Sequence, residues 1–135
     1  MARHFVVTAD GGARSNPVGP AAYGAVVYEN NEVVKEIGAS IGIASNNVAE
    51  YQGLIAALKA VNEIDPTATI LVKMDSKLVV EQMSGRWKVK HPNMQKLVKR
   101  AFATHDPTLV TYQWIPREEN SHADSILNDV LDSGM

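Results

Sequence analysis

Apolar residues along this 135-residue chain recur with two different periods, and the change from one to the other separates strands from helices. His4 to Ala9 reads HFVVTA, a compact β-branched run that stops at Asp10-Gly11-Gly12, a turn signal. A loop rich in Gly, Pro and Asn follows from Ala13 to Pro20. Tyr23 to Glu29 and Val33 to Ile41 read as two more strands around Asn30-Asn31, a hairpin-type junction. The first three strands are therefore expected to form an antiparallel meander.

From Asn47 the period becomes helical. Val48, Tyr51, Ile55 and Leu58 fall on one stripe, widened by Leu54, Ala57 and Val61. Pro66 closes that neighbourhood, and Thr69 to Met74 is an apolar strand. A short helix is expected from Ser76 to Met83, broken by Gly85-Arg86-Trp87. Pro92 suits the first turn of another helix, with Met94, Leu97, Val98, Ala101 and Phe102 as its stripe. Leu109 to Ile115 is a fifth strand, and Ala123, Ile126, Leu127, Val130 and Leu131 mark a last helix. The order β-β-β-α-β-α-α-β-α predicts an α/β protein: a mixed five-stranded sheet with helices packed on it. With no repeat, low-complexity tract or linker, residues 1–135 are expected to be a single domain.

Composition changes this picture little. At 45% hydrophobic and 21% charged the chain is an ordinary globular sequence, and with no cysteine it has neither disulfides nor thiolate metal sites. No apolar run reaches the roughly 18 residues of a membrane span, and no signal-peptide pattern opens the chain, so a cytoplasmic monomer without membrane contact is the expectation. Charge is more informative, because the net −2 is unevenly distributed. Lys77, Arg86, Lys88, Lys90, Lys96, Lys99 and Arg100 face the single acid Glu81 in one stretch, which can attract phosphates or simply be a solvated face.

Four carboxylates carry the candidate chemistry, each with a competing local explanation. Asp10 precedes two glycines, as in a plain Asp-Gly turn, but there it would also project a carboxylate where a substrate backbone can approach. Glu50 borders the apolar stripe of its helix, where a partly desolvated carboxylate calls for a positive partner unless it snorkels to water. Asp75 ends the strand ILVKM, where Asp and Ser76 are both good helix caps. Ser121-x-x-Asp124 matches a capping box. A site of carboxylates without His or Cys suits Mg²⁺, a hard cation that takes oxygen ligands and substrate phosphates. Two such ions can drive an in-line phosphoryl displacement.

TADGG (Thr8 to Gly12), SNNVAEYQGL (Ser45 to Leu54), MDSKLVVEQM (Met74 to Met83) and HADSILN (His122 to Asn128) stand in the order and spacing of type 1 ribonuclease H. The chain resembles that family from about Val6 to Asn128. The resemblance implies a ribonuclease H-like fold, with three antiparallel strands followed by parallel ones. It implies an endonuclease that cuts the RNA strand of RNA/DNA hybrids with two Mg²⁺ or Mn²⁺ ions, leaving 5′-phosphate and 3′-hydroxyl ends. Double-stranded RNA is an alternative duplex. Asp10 would bridge the ions, Asp124 would serve the one that activates water, and Glu50 and Asp75 the one near the leaving group. Gly11, Gly12 and Glu50 would meet ribose 2′-hydroxyls. Asn46 and Asn47 would enter the minor groove or cap their helix, Ser45 would hold a DNA phosphate, and Trp87 would pack against the DNA strand.

Two departures from the family narrow these expectations. Many members carry a histidine in a mobile loop before the last Asp, whereas this chain has Trp114-Ile115-Pro116-Arg117. His122 is a possible auxiliary for proton transfer or product release, against the alternative of a solvated helix-end histidine, and Arg117 a possible phosphate contact. Many bacterial members also insert a lysine-rich helix where this chain has only Gly85 to Pro92, and Lys77 stands where several relatives have Gln. A short form lacking the basic protrusion, with weaker and more salt-sensitive hybrid affinity, is the expectation.

Overall fold

A computed structural model describes residues 3–133; residues 1–2 and 134–135, part of the expected single domain, lie outside the described residues. In chain order the elements are β1 (His4–Ala13), β2 (Gly19–Glu29), β3 (Glu32–Ala44), α1 (Asn46–Ile64) and β4 (Thr69–Met74), then α2 (Lys77–Met83), α3 (Pro92–Thr104), β5 (Val110–Trp114) and α4 (Ser121–Ser133). Single 3₁₀ turns at Pro107–Leu109 and Arg117–Glu119 lead into β5 and α4. The sheet order is β3-β2-β1-β4-β5. β1, β2 and β3 run antiparallel, while β4 lies parallel to β1 and β5 parallel to β4. This is the mixed five-stranded sheet expected from the element order. Asn30 and Asn31 take positive φ of 53° and 65° in the β2–β3 turn, the conformation that favours Asn in a two-residue hairpin.

One boundary differs from the sequence reading in a way that matters. The Asp10-Gly11-Gly12 turn does not form, and β1 runs on through the glycines, pairing with β2 as far as Ala13 opposite Ala21. The chain bends only after Ala13, where the Arg14 N–H donates to the Pro20 carbonyl at 2.9 Å. Gly11 stays in the strand because a helix occupies the space its side chain would need. A Cβ on Gly11 would lie 2.2 Å from the Ala49 carbonyl carbon.

Alternation along β1 and β2 sets the two faces of the sheet. Gly11 abuts α1 at Ala49, and Tyr23 abuts it at Gly53. Gly12 and Gly24 face α4 instead, with a Cβ on Gly24 only 2.3 Å from the Ala123 carbonyl oxygen. Phe5, Val7 and Ala9 of β1 therefore share the α1 face with Gly11, where the main core also holds Tyr51, Leu54, Leu58, Ile70, Val72, Val79 and Leu97. Phe102, expected on the α3 stripe, is instead 39% exposed, while Leu97, Val98 and Ala101 are buried. No described helix is long and apolar enough to cross a membrane.

Candidate metal centre

Strand geometry places the first two acids side by side. β1 and β4 are parallel, with Thr8 opposite Lys73, so Asp10 in β1 and Asp75 just past β4 lie at neighbouring strand positions. Glu50 arrives from α1, whose first turn packs directly on Gly11. Its Oε1 accepts the Gly11 N–H at 3.2 Å. One ligand atom each of Asp10, Glu50 and Asp75 lies within 4.8 Å of the others. Asp124 comes from the start of α4, seated on the opposite face by Gly24, which pairs with Asp10 across β1 and β2. It stands outside that three-residue set but close enough to Asp10 to raise its pKa.

The capping roles that competed for these carboxylates fall to their neighbours. Ser76 caps α2 by accepting the Val79 N–H at 3.3 Å, which leaves the Asp75 carboxylate free for other work. The expected capping box at Ser121 is absent from α4. Asp124 donates its backbone N–H to the Asn120 carbonyl at 3.1 Å, so Asn120 occupies the cap position and Ser121 is already helical. The Asp124 carboxylate accepts from Asn128 at 3.2 Å, one helical turn on, and lies in contact with Asp10.

Desolvation sets the electrostatics. Asp10 is 6% exposed and Glu50 9%. Burial first, then the charge of Asp75 and contact with Asp124, raise the Asp10 pKa from 3.8 to about 7, while hydrogen bonding with Glu50 opposes the rise. Glu50 is also held well above the usual carboxylate range, by burial and then by the charge of Asp10, with the Gly11 N–H acting the other way. The Glu50 Oε2 atom is buried without a hydrogen-bond partner among the described residues. A bare cluster of this kind must take up protons or bind a cation. All its donors are oxygens, which fits Mg²⁺ or Mn²⁺ rather than a metal that prefers nitrogen or sulfur.

These shifts fix the sign of a stability experiment. A carboxyl whose folded pKa is raised stabilises the fold below its unfolded pKa, near 4, and loses that contribution as pH rises through about 7. The metal-free domain is therefore expected to melt on the order of 5 °C lower at pH 8 than at pH 5. Mg²⁺ should recover most of that difference at pH 8 and add little at pH 5, as followed by thermal denaturation at both pH values.

Around the acids lies an open cleft of about 450 Å³, lined in part by Gly12, Arg14, Asn46, Asn47, Ser76 and Arg117. Asn46 accepts the Ala13 N–H at 2.7 Å and ties the end of β1 to α1, whereas Asn47 is exposed. Ser45 is the N-cap of α1, accepting the Val48 N–H at 3.3 Å, so the cap is the serine and not either asparagine. Arg117 is exposed at the cleft and makes no ion pair among the described residues. Arg14, which the sequence reading did not single out, lines the same cleft and pairs with Asp132.

Other expected site residues lie elsewhere. Trp87 is 46% exposed in the segment after α2 and does not line the cleft. Among the described residues no helix lies between α2 and α3. His122 turns toward the meander, where Nε2 meets the Glu36 carboxylate and Nδ1 lies 3.4 Å from the Tyr28 hydroxyl. That pairing engages both ring nitrogens, and His122 does not line the cleft. Sequence reasoning also missed Asn120, buried to 1% exposure, whose side-chain amide reaches Asp75. Its only signal is an Asn one residue before a helix, which reads as a cap and nothing more.

Comparison with known proteins agrees with this arrangement. The model of the reverse transcriptase-like family matches residues 8–130. The bifunctional protein Rv2228c of Mycobacterium tuberculosis is 50% identical over 131 residues, covering 95% of this chain; the chain spans 35% of that protein's length. A solved structure of the N-terminal RNase H domain of Rv2228c, fused to maltose binding protein, superposes with a TM-score of 0.90 at 47% identity, covering 98% of this chain and 96% of that one. LC11-RNase H1, solved in complex with an RNA/DNA hybrid, gives 0.88 at 34% identity, covering 96% and 98%. With its acids drawn together from β1, α1, the end of β4 and α4, the chain belongs to the reverse transcriptase-like family and, within it, to the type 1 ribonuclease H proteins.

Proposed function

We propose that this domain hydrolyses the RNA strand of RNA/DNA hybrids, leaving 5′-phosphate and 3′-hydroxyl ends. The observation that carries the reading is the meeting of buried Asp10 and Glu50 with half-buried Asp75 in an open cleft, where the Glu50 Oε2 has no hydrogen-bond partner among the described residues. The hybrid bound to LC11-RNase H1 supports the substrate class.

Asp10, on the central strand β1 and flanked by the other acids, would be shared between two divalent ions, Mg²⁺ or Mn²⁺. Asp124 would complete one site, with Glu50 and Asp75 completing the other. When bound, the ions supply water activation and charge stabilisation at the leaving oxygen of an in-line displacement. The chain's own groups orient the substrate. The backbone at Gly11 and Gly12, with Glu50 beside it, offers contacts for ribose 2′-hydroxyls, which distinguish RNA from DNA. Asn46 and Asn47 edge the cleft where a minor groove would lie. Ser45 accepts a bond as a cap and so keeps its O–H free to donate to a phosphate. Arg14 and Arg117 supply cleft cations for the same backbone.

The test compares matched RNA/DNA, DNA/DNA and RNA/RNA duplexes with Mg²⁺ or Mn²⁺. Cleavage confined to the RNA strand of the hybrid, lost on chelation, is the expected result. Binding of the hybrid without any metal-dependent cleavage would reduce the domain to a binding module. Preferential cutting of double-stranded RNA or DNA would move it to another nuclease class.

A further inference from the structure

Asn120 lies between the 3₁₀ turn that follows β5 and the start of α4, and it is 1% exposed. Its Nδ2 donates to the Asp75 Oδ1 at 3.0 Å and to the Ala9 carbonyl at 2.9 Å. Its own carbonyl accepts the Asp124 N–H at 3.1 Å. Through these three bonds one side chain and its backbone touch Asp75, Asp124 and the residue before Asp10. The amide orientation is fixed, because a backbone carbonyl such as Ala9 can only accept. The Asn120 Oδ1 is buried without a partner among the described residues, a cost to folding, so it is the donor end that is put to use. Asp75 is held from a second direction as well, since the Trp114 Nε1–H donates to its backbone carbonyl at 3.2 Å.

We propose that Asn120 is a positioning residue of the metal centre, resting on the metal-site reading above. It sets the rotamer of the Asp75 carboxylate and the distance between Asp75, Asp10 and Asp124. Nδ2 occupies one lone pair of Oδ1, which turns the rest of the carboxylate toward Asp10 and Glu50. Because the same nitrogen is anchored on β1, the end of β4 cannot drift from β1 when charge accumulates between them. Partners that orient metal ligands in this way commonly matter 10- to 100-fold to metal affinity or activity.

The probe is Mn²⁺ alone, titrated calorimetrically into the metal-free domain and into Asn120→Ala, with melting curves for both and steady-state hybrid cleavage alongside. The expected result is Mn²⁺ binding weaker by about 10- to 100-fold, a matching fall in kcat and a KM little changed. Partial recovery at high Mn²⁺ should accompany it. A lower melting temperature with Mn²⁺ affinity and kcat like wild type would make Asn120 merely structural and overturn the proposal. If Asn120→Ala loses its cooperative melt, the side-chain amide resonance of Asn120 in wild type decides. A saturable shift on Mg²⁺ titration supports the proposal, and a stationary signal overturns it. Wild type that binds Mn²⁺ but cuts no hybrid would refute the nuclease reading while the affinity comparison still judges Asn120.

Discussion

Asp10→Asn is expected to abolish metal-dependent hybrid cleavage and, at the same time, to make the metal-free domain more stable at pH 8. The loss should be at least about a thousandfold, since bound ions contribute several kcal/mol of charge stabilisation and each ~1.4 kcal/mol is a factor of ten in rate. The gain in stability follows from the surroundings of Asp10. It is buried beside Asp75 and Asp124, and its pKa near 7 means that at pH 8 the folded state holds a charge it disfavours. An amide of the same shape removes that charge, so the melting temperature should rise on the order of 5 °C at pH 8. At pH 5 Asp10 is already protonated in the fold while the unfolded chain still ionises it, so the gain should be clearly smaller there than at pH 8. Melting curves at the two pH values with a cleavage assay check both halves. Loss of activity with an unchanged or lower melting temperature at pH 8 would mean that Asp10 is an ordinary structural acid.

Gly11→Ala should have the largest effect on the fold itself. The added Cβ would fall 2.2 Å from one backbone atom of Ala49 and 2.4 Å from the Ala49 oxygen and the Glu50 nitrogen. Backbone of a packed helix cannot give way as a flexible side chain does, so α1 must lift from β1. Overpacking costs about 1–3 kcal/mol even where side chains can adjust, and this site should reach about 3 kcal/mol or more. Lifting α1 also carries Glu50 away from Asp10 and breaks its bond to the Gly11 N–H. Urea denaturation checks the stability, and Mn²⁺ titration of whatever remains folded checks the site. Gly12→Ala is the internal control, because its nearest neighbour is a Leu127 methyl at an ordinary 3.5 Å. Similar destabilisation of both variants would contradict the seating role assigned to Gly11.

These two residues show what could be read in the sequence and what could not. The strands, the helical stripes and the four acids are visible because each depends on local period or on a motif a few residues long. The glycines after Asp10 are visible too, but they read as a turn and a place for substrate. Their effect comes from a helix nearly forty positions away, and no local pattern carries that. The same holds for Asn120, which meets Ala9 and Asp75 from far along the chain. His122 sits two residues before Asp124, yet residues two apart on a helix point in different directions, and its partner Glu36 lies on β3. The capping alternatives for Asp75 and Asp124 are equally good on paper. Only the backbone shows that Ser76 and Asn120 take those places.

The measurement that bears most directly on the central claim is the anomalous scattering of Mn²⁺ in crystals of the domain, collected with and without an RNA/DNA hybrid. Strong peaks within coordination distance of the Asp10, Glu50 and Asp75 carboxylates, with Asp124 recruited when the hybrid is present, are the result expected. Well-ordered acids at saturating Mn²⁺ with no peak among them would contradict it.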